Sequence, residues 1–291
     1  MNKAQWITAT ITLITTLLLY AFTQKKLFGE PKKINLTKTV NSNSAVTIDS
    51  FFVHVKDHLT PFQIGRLNFI ENNLNSKSGP ADKIHVYHHL ARYWKDSVQI
   101  EHQQDLFEPF AWYTAEAARL ENSEKSLTFA ARLFWSNFRN ETHPEKRKWK
   151  ALQAKDLYER SLKINPSNDS TNVELGEVYV YGGFTMPMQG VEMIKKVSEK
   201  DEKNIYAQLA LTYASLSSGQ TDKAIERLKK IIELQPSDAA SVLLLAEIYE
   251  TKGDKKAAIE WYQKSLPLLT GEYTRYKKEV EERIDQINKL K

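Results

Sequence analysis

The feature that most constrains the fold of this 291-residue chain is a repeat with a spacing of 34 residues near its C-terminal end. Small residues recur at small positions and large apolar residues at large ones: Gly219 and Gly253, Ala224 and Ala258, Ile225 and Ile259, Leu228 and Tyr262, Ile232 and Leu266. A period of about 20 to 50 residues is typical of stacked units, each of which buries its apolar face only against its neighbours. The spacing therefore predicts an array of helical hairpins.

A second pattern marks the first helix of each predicted hairpin. A leucine, a small residue and an aromatic residue recur with one spacing: Leu175-Gly176-x-x-Tyr179, Leu209-Ala210-x-x-Tyr213, Leu245-Ala246-x-x-Tyr249 and, upstream, Leu90-Ala91-x-x-Trp94. Small residues let two helix backbones approach, while large ones fill the space between them. Pro166 and Pro236, which stand 70 residues apart, end two units because proline cannot continue a helix.

These residues resemble the tetratricopeptide repeat (TPR) superfamily, whose units are about 34 residues long. The resemblance implies an all-α fold, a TPR-type α-solenoid of helical hairpins over residues 48–291, with its strongest repeats at 149–270. Acids and bases alternate around four apolar positions in residues 272–290 and predict a single capping helix there: Tyr276, Val280, Ile284 and Ile287. Such a helix hides the apolar end of an array.

Upstream of residue 149 the predicted helices are less regular. Thr60-Pro61-x-Gln63 combines a capping residue, a proline at the first helical position and a capping-box glutamine, so a helix begins there. Residues 48–59 are predicted as a short helix or, because of Phe51-Phe52-Val53, as a strand. Further helices are predicted over 84–100, 109–120, 126–138 and 149–164, with residues 140–148 as an insertion relative to the repeat. Within this insertion, Thr142-His-Pro144-Glu145 is itself a start signal for the following helix.

Charge and cysteine content exclude several function classes. Of 41 Lys+Arg and 36 Asp+Glu, residues 1–49 hold six bases and two acids, so residues 50–291 are almost neutral. A nucleic-acid-binding domain normally concentrates positive charge on one face, so no nucleic-acid partner is expected. The absence of cysteine excludes disulfides, thiolate metal sites and a cysteine nucleophile.

Residues 4–23 contain no charged side chain and are mostly apolar. Twenty helical residues span about 30 Å, the thickness of the hydrocarbon core of a bilayer. Trp6 and Tyr20 lie near the two ends, where aromatic rings favour the interface. We therefore predict an N-terminal transmembrane helix within residues 1–24. The alternatives are a buried helix and a cleaved signal peptide, for which Ala21-Phe-Thr23 is a poor cleavage site.

The flanking charges predict the orientation of this anchor. One lysine precedes the span and five follow it in residues 25–47, a polar stretch that is typical of a flexible linker. By the positive-inside rule, the chain is a single-pass protein of the inner (cytoplasmic) membrane with its solenoid in the cytoplasm. A solenoid on the periplasmic side is the alternative, since N-terminal anchors also precede exported domains.

In the TPR family, peptides lie in a concave groove lined by the first helix of each unit. The resemblance carries this protein-binding role to the matching positions of three units: Ser170, Val173, Glu177, Val180, Tyr181, Ala207, Leu211, Ala240, Leu243, Glu247 and Glu250. These positions lack the lysines, asparagines and arginine with which chaperone-binding TPRs hold a C-terminal carboxylate. Their mixture of apolar and acidic side chains indicates an extended or helical protein segment as the ligand.

Between the third and fourth units, Tyr181-Gly-Gly-Phe184-Thr-Met186-Pro-Met188 places apolar residues in a turn. Two interpretations stand beside each other. The turn is a contact surface, since methionine adapts to varied partners, or it is a staple in which Phe184 and Met188 fold back on the next helix.

His85 and His89 lie four residues apart, hence on one helix face, where two imidazoles can share a metal. No glutamate completes an H-E-x-x-H motif there, and no third ligand is indicated. The sequence also has no phosphate-binding loop, nucleophile elbow or dinucleotide fingerprint. We expect no catalytic residue, cofactor or metal. A metal-dependent enzyme that uses the His85/His89 face is the alternative from another function class.

The sequence thus predicts a non-enzymatic, membrane-tethered scaffold that binds a partner protein or peptide. Its plan is similar to that of single-pass, membrane-anchored bacterial TPR proteins, some of which assist the assembly of envelope or respiratory complexes. An exported periplasmic assembly factor is the alternative within the same class. Self-association, through the unit ends or through the groove, is a third hypothesis.

Overall fold

A computed structural model describes residues 48–75, 79–97 and 106–289, and the chain divides into two compact units at Thr185 and Met186. The described residues of the first unit contain seven α-helices: α1 Ile48–Lys56, α2 Pro61–Asn75, α3 Pro80–Arg92, α4 Phe107–Glu121, α5 Glu124–Phe138, α6 Pro144–Ile164 and α7 Asp169–Tyr181. Those of the second contain six: α8 Pro187–Lys200, α9 Ile205–Ser217, α10 Thr221–Leu234, α11 Ala239–Thr251, α12 Lys255–Ser265 and α13 Lys277–Lys289. Every regular element in the described part is helical, so the predicted all-α class is confirmed.

The local start signals of the sequence are confirmed at the N-terminal end. Residues 48–56 form a helix, not a strand. At α2 the Thr60 N–H donates to Gln63 Oε1 at 2.8 Å, and the Gln63 N–H donates to Thr60 Oγ1 at 3.3 Å. This reciprocal pair is a capping box, which satisfies two of the free N–H groups at a helix start. α3 passes into a π-helical turn at Tyr93–Ser97, and the predicted end of its helix at residue 100 lies outside the described residues.

α6 begins at Pro144, within the start signal Thr142-His-Pro144-Glu145, and not at Trp149, the boundary that the repeat register predicts. His143 is extended, Pro144 takes the first helical position, and the Arg147 N–H donates to the His143 carbonyl at 2.9 Å. The Arg147 guanidinium also lies 3.9 Å from the centroid of the Phe138 ring. Because this cation–π contact ties the additional turn to the end of α5, most of the predicted insertion 140–148 is helical.

A buried ion cluster holds α6 against α4, against α5 and against the segment that joins α5 to α6. Lys150 is 2% exposed, and its Nζ lies 2.9 Å from Glu108 Oε1, donates to Asn137 Oδ1 at 2.6 Å and contacts the Glu141 carboxylate. Burial raises the pKa of Glu141, but hydrogen bonds from Lys150 and from the His143 N–H, together with the nearby positive charge, outweigh it and hold that pKa below its usual value. An unpaired buried charge is strongly destabilising, so these side chains are stable only as a set.

α1 and α2 belong to the core of the first unit although they carry no repeat pattern. Phe52 and Val55 of α1 pack in one cluster with Leu67 of α2, Trp94 and Tyr113. The Phe52 ring centroid lies 5.9 Å from that of Trp94 and 5.4 Å from that of Tyr113. α1 contacts α4, and α2 contacts α3. The two helices therefore cover the N-terminal end of this unit.

The second unit is built from hairpins in which α9 pairs with α10 and α11 pairs with α12. The small residues of the repeat lie where these helices approach, and Ala210, Ala224, Ala246 and Ala258 each expose at most 1% of their surface. Leu228 is fully buried beside them. The alternation of small and large side chains thus closes the hairpins as the sequence pattern predicts.

The two glycines that define the 34-residue spacing, Gly219 and Gly253, have the same conformational role. Gly219 has φ +74° and Gly253 has φ +83°, left-handed values that glycine adopts without steric cost. In each case the N–H of the next residue donates to the carbonyl five residues before it: Gln220 to Ser215 at 2.8 Å, and Asp254 to Tyr249 at 2.9 Å. This hydrogen bond is the Schellman motif, which ends a helix and turns the chain into the second helix of the hairpin.

The capping segment differs from the predicted single helix over 272–290. Gly271–Tyr276 is a 3₁₀ turn, and the α-helix α13 begins only at Lys277. Side chains three residues apart stand above each other in a 3₁₀ turn, and the rings of Tyr273 and Tyr276 lie 6.4 Å apart. Three residues of α13 pack in one cluster with buried residues of α11 and α12: Val280, Ile284 and Ile287. α13 thereby covers the apolar flank of the last hairpin.

The predicted anchor and linker, residues 1–47, lie outside the described residues. Among the helices that the structure does describe, none combines the length and apolar character needed to cross a membrane. The anchor therefore stays a prediction from the sequence.

Candidate protein-binding surface

In the first unit, α7 carries five of the predicted groove positions, and they differ in accessibility. Ser170 is exposed, Val180 and Tyr181 are half-buried, and Val173 has no exposed surface. Glu177 is 6% exposed and accepts a hydrogen bond from Trp135 Nε1 at 3.4 Å. The surface that α7 offers to a partner is therefore its two ends, because its centre packs against the protein.

α5 supplies side chains to this face that the sequence analysis did not assign. Arg132 Nε donates to Glu174 Oε1 at 2.6 Å, and Arg139 Nη2 lies 3.6 Å from Glu177 Oε2. Arg132 and Arg139 are about half exposed, whereas both carboxylates are largely covered. Arg132, Trp135 and Arg139 recur at helical spacing of three and four, which is the signal that marks them as one face of α5.

In the second unit, α9 offers little of its predicted lining. Ala207 has no exposed surface, and Leu211 is 3% exposed. Ala207 also follows the helix start closely, since its N–H donates to the Asn204 side chain at 3.0 Å. Both residues act as packing residues of the hairpin.

The predicted groove positions on α11 are more accessible to solvent than those on α9. Ala240 is exposed in the first turn. Leu243 is half-buried and packs against the C-terminal cluster that contains Val280 and Ile284. An apolar side chain thus lies at the junction of α11 and α13, with solvent on one side.

Glu250, the last of these positions, is bound within the protein. Arg283 Nε donates to Glu250 Oε2 at 3.1 Å, a second guanidinium nitrogen contacts Oε1, and Tyr262 Oη donates to Oε2 at 2.9 Å. Burial and the neighbouring carboxylates of Glu250 and Glu247 raise the pKa of Tyr262, so it remains a donor. Glu250 therefore joins α11, α12 and α13.

Glu247 lies one turn earlier and has a different environment. It keeps much of its surface open to solvent, yet the surrounding protein partly excludes water. That burial, followed by the negative charges of Glu250 and Glu279, raises the pKa of Glu247 to about 7, against an opposing effect of Arg283. Among the described residues, Glu247 is the one predicted groove carboxylate that is exposed and has a raised pKa.

The predicted positions thus fall into two sets. Those on α7 lie in the first unit, and those on α9 and α11 lie in the second. Within the second unit, the structure brings Leu243, Glu247 and Glu250 to one side of α11, where α13 stands.

In the turn between Tyr181 and Met188, Phe184 packs on α7, the helix before the turn, whereas the predicted staple placed Phe184 and Met188 on the next helix. Phe184 folds back, with its ring centroid 5.9 Å from that of Tyr179. A Cβ at Gly182 would lie 2.5 Å from the Phe184 ring, so glycine is required for this contact. Met186 and Met188 instead expose 60% and 64% of their surface. The interpretation of the turn as a contact surface stays a prediction.

The histidine face of α3 gathers no set of metal ligands. His85 and His89 are exposed, and His88 Nε2 contacts the Glu121 carboxylate. Among residues 48–75, 79–97 and 106–289, no three His, Cys, Asp or Glu side chains are grouped to hold a metal ion.

Comparison with known proteins finds a family model that is similar to part of the chain. The tetratricopeptide repeat family model matches residues 209–272. No curated protein sequence matches the chain.

Similar solved structures were found for larger parts of the chain. MamA from residue 41 onward of Desulfovibrio magneticus RS-1 is 20% identical, with 64% of this chain and 95% of that chain covered and a TM-score of 0.46. YrrB, described as a TPR protein with an unusual peptide-binding site, is 17% identical, with 72% and 97% covered and a TM-score of 0.42. The C-terminal part of a TPR repeat-containing protein from Cytophaga hutchinsonii is 15% identical, with 84% and 88% covered and a TM-score of 0.48.

These TM-scores lie below 0.5, so the similarity to tetratricopeptide repeats depends on the matched segment and on the spacing. The match covers both glycines of the 34-residue repeat and the hairpins that they connect. Residues 209–272 of this chain are therefore similar to tetratricopeptide repeats, as the sequence pattern predicts.

Proposed function

We propose that this chain is a non-enzymatic scaffold that binds a segment of a partner protein and is tethered to the inner membrane by residues 4–23. The observation that carries the binding role is the exposed side of α11, where Ala240, Leu243 and Glu247 combine an open first turn, an apolar side chain and an accessible carboxylate. TPR hairpins generally use such faces to hold peptides, because paired helices present fixed side chains at regular intervals.

The chemistry of this side of α11 indicates the partner segment. Glu250 is already paired with Arg283, whereas Glu247 is exposed, so Glu247 is the acid on this side of α11 that a partner can reach. A segment with an apolar residue beside a lysine or arginine would cover Leu243 and pair with Glu247, and the bound cation would lower the pKa of that carboxylate. We therefore propose a basic, partly apolar segment as the ligand.

Position-specific crosslinking tests the binding face. The chain contains no cysteine, so one cysteine can be introduced and labelled with a photocrosslinker. Ala240→Cys places the probe on the proposed face, and Glu233→Cys, which is exposed on α10, is the matched control in the same unit. We expect a specific crosslinked product in membranes at Ala240 that Glu247→Lys removes. Equal products from both positions, or a product that survives Glu247→Lys, would show that the face is misplaced.

The tether and its orientation are tested separately. Protease treatment of intact cells, of cells with a permeabilised outer membrane and of lysed cells reports the side on which the folded units lie. Digestion only after the inner membrane is opened supports the cytoplasmic orientation that the lysines of residues 25–47 favour. Digestion once the outer membrane is permeable supports the exported, periplasmic version.

A further inference from the structure

The N-terminal helix pair carries an apolar surface that the packing of the first unit leaves uncovered. On α2, Phe62 is 80% exposed and Phe69 is 71% exposed. They stand seven residues apart, two helical turns, and so lie on one side of the helix. Leu67 and Ile70 of the same helix are buried in the core of the unit. We propose that the side with Phe62, Gly65 and Phe69, here called the Phe62–Phe69 face, rests on the lipid bilayer surface; this inference depends on the proposed membrane tether.

The charges of α2 suit a lipid headgroup region. Arg66 is its one cation, and its one acid, Glu71, is half-buried and bonded to Lys56 Nζ at 3.2 Å. The other exposed polar side chains of the helix are amides: Asn68, Asn72 and Asn73. An interfacial helix buries aromatic residues below the headgroups while its neutral or cationic side chains remain among them. No carboxylate has to leave water for the Phe62–Phe69 face to do so.

Gly65 contributes to the shape of this face. A Cβ built at Gly65 would meet no heavy atom within 4 Å, so packing does not require glycine there. Glycine inside a helix costs about 0.5–1 kcal/mol relative to alanine. The two phenylalanine rings therefore flank a position with no side chain, which leaves both rings free to enter an apolar medium.

The area of the patch argues against a second copy of the chain as the occupant. A phenylalanine side chain buries about 150–250 Å², so the exposed parts of Phe62 and Phe69 amount to about 300 Å². A stable protein interface buries about 800 Å² per partner. The Phe62–Phe69 face is too small for that, but a contact that a tether already holds near its target needs less area of its own.

The chain outside the described residues brings this face to a membrane. Residues 4–23 are the uncharged apolar run, and α1 begins at Ile48. A flexible linker of 24 residues, which the sequence predicts between them, would have a root-mean-square length of about 25–30 Å. Ile48 packs against the cluster that contains Leu67 of α2, and Lys56 pairs with Glu71 of α2. α2 is therefore held close to the point where the proposed tether joins the unit.

Fluorescence in lipid vesicles tests the contact. The full-length, cysteine-free chain carrying Gly65→Cys is labelled with an environment-sensitive fluorophore and reconstituted into phosphatidylcholine–phosphatidylglycerol vesicles. Lys163→Cys, an exposed position on α6, is the matched control. We expect nitroxide-labelled lipids to quench the Gly65 label and not the Lys163 label. Phe62→Ala with Phe69→Ala should abolish the quenching at Gly65, whereas the exposed pair Phe129→Ala with Leu152→Ala should not.

Flotation of the same vesicles separates this inference from the proposed tether. A chain that floats with the vesicles but shows no lipid quenching at Gly65 is tethered, and the contact of α2 is then refuted. A chain that does not float refutes both. A Gly65 label that becomes shielded with rising protein concentration in detergent, without lipid quenching, would assign the face to a second copy and overturn the proposal.

Discussion

Arg283 of α13 donates from Nε to Glu250 Oε2 of α11 at 3.1 Å, and this bond joins the last helix of the chain to a helix that the repeat pattern assigns to the binding groove. Tyr262 of α12 donates to the same carboxylate oxygen at 2.9 Å. Three helices therefore meet at one acid. A position that belongs to the groove by register is used here to hold the end of the unit together.

Replacing Arg283 tests this role. Arg283→Ala leaves Glu250 with one donor in a partly buried site, and hydrogen bonds to charged groups contribute about 1.5–3 kcal/mol each. We expect the free energy of local opening of residues 277–289 to fall by about 1–3 kcal/mol, so that their amide hydrogens exchange faster. Lys278→Ala, which removes an exposed pair with Glu282 at 3.7 Å on the same helix, is the control and should have little effect. Equal exchange in both variants would contradict the assignment.

Glu247 should make the second unit less stable at high pH. Its pKa is raised to about 7 in the folded protein, above its ordinary value, so the folded state binds the proton more tightly than the unfolded state. The contribution of the protonated Glu247 to the free energy of unfolding is therefore present in acid and is lost as the pH rises through about 7. Glu247→Gln should remove this loss, which hydrogen exchange of α11 at pH 5 and pH 8 would measure. A variant with the wild-type pH dependence would exclude Glu247 as its source.

Lys150 should be essential to the first unit. Lys150→Met leaves Glu108, 3% exposed, and Glu141 without their shared ammonium. Breaking a buried ion pair by removing one partner costs about 3–5 kcal/mol. Urea unfolding of the full-length chain in detergent, followed by tryptophan fluorescence, should show a midpoint at a correspondingly lower urea concentration. Lys155→Met, which removes the more exposed pair with Glu159 at 2.8 Å on the same helix, should shift it far less.

Two glycine substitutions should act in opposite directions. Gly253 has φ +83°, a left-handed conformation that costs a residue with a Cβ about 1–2 kcal/mol, so Gly253→Ala should destabilise its hairpin. Gly65 is helical with open space around it, and Gly65→Ala should stabilise α2 by up to about 1 kcal/mol. Hydrogen exchange of the two helices measures both effects. A loss of protection in α2 after Gly65→Ala would show an unrecognised requirement for glycine there.

Much of the helical plan follows from local sequence signals. The recurrence of Gly219 as Gly253 predicts two equivalent turns because only glycine adopts their backbone conformation freely, and both turns have the same hydrogen bond. Thr60 and Gln63 predict the start of α2 because their reciprocal bonds involve residues three positions apart. The local signal Thr142-His-Pro144-Glu145 contains the start of α6, whereas the repeat register places that start five residues late, at Trp149. The contact of Arg147 with the Phe138 ring, which holds the additional turn, is not visible in the register.

The candidate surface was predicted less completely. Register assigns Val173 and Ala207 to a groove, but both are fully buried, because neighbouring helices fill the space beside them. The pairing of Arg132 with Glu174 and of Arg283 with Glu250 joins residues 42 and 33 positions apart. No local spacing indicates such pairs.

By itself the sequence determined the helical class, the hairpin turns and the similarity of residues 209–272 to tetratricopeptide repeats, because these depend on backbone preferences and on contacts within one hairpin. Only the tertiary structure decided which repeat positions stay accessible, which acids are already paired and which apolar side chains, such as Phe62 and Phe69, remain uncovered. The physical reason is that burial and ion pairing depend on helices that are distant in sequence, whereas periodicity reports only the helix on which a residue stands.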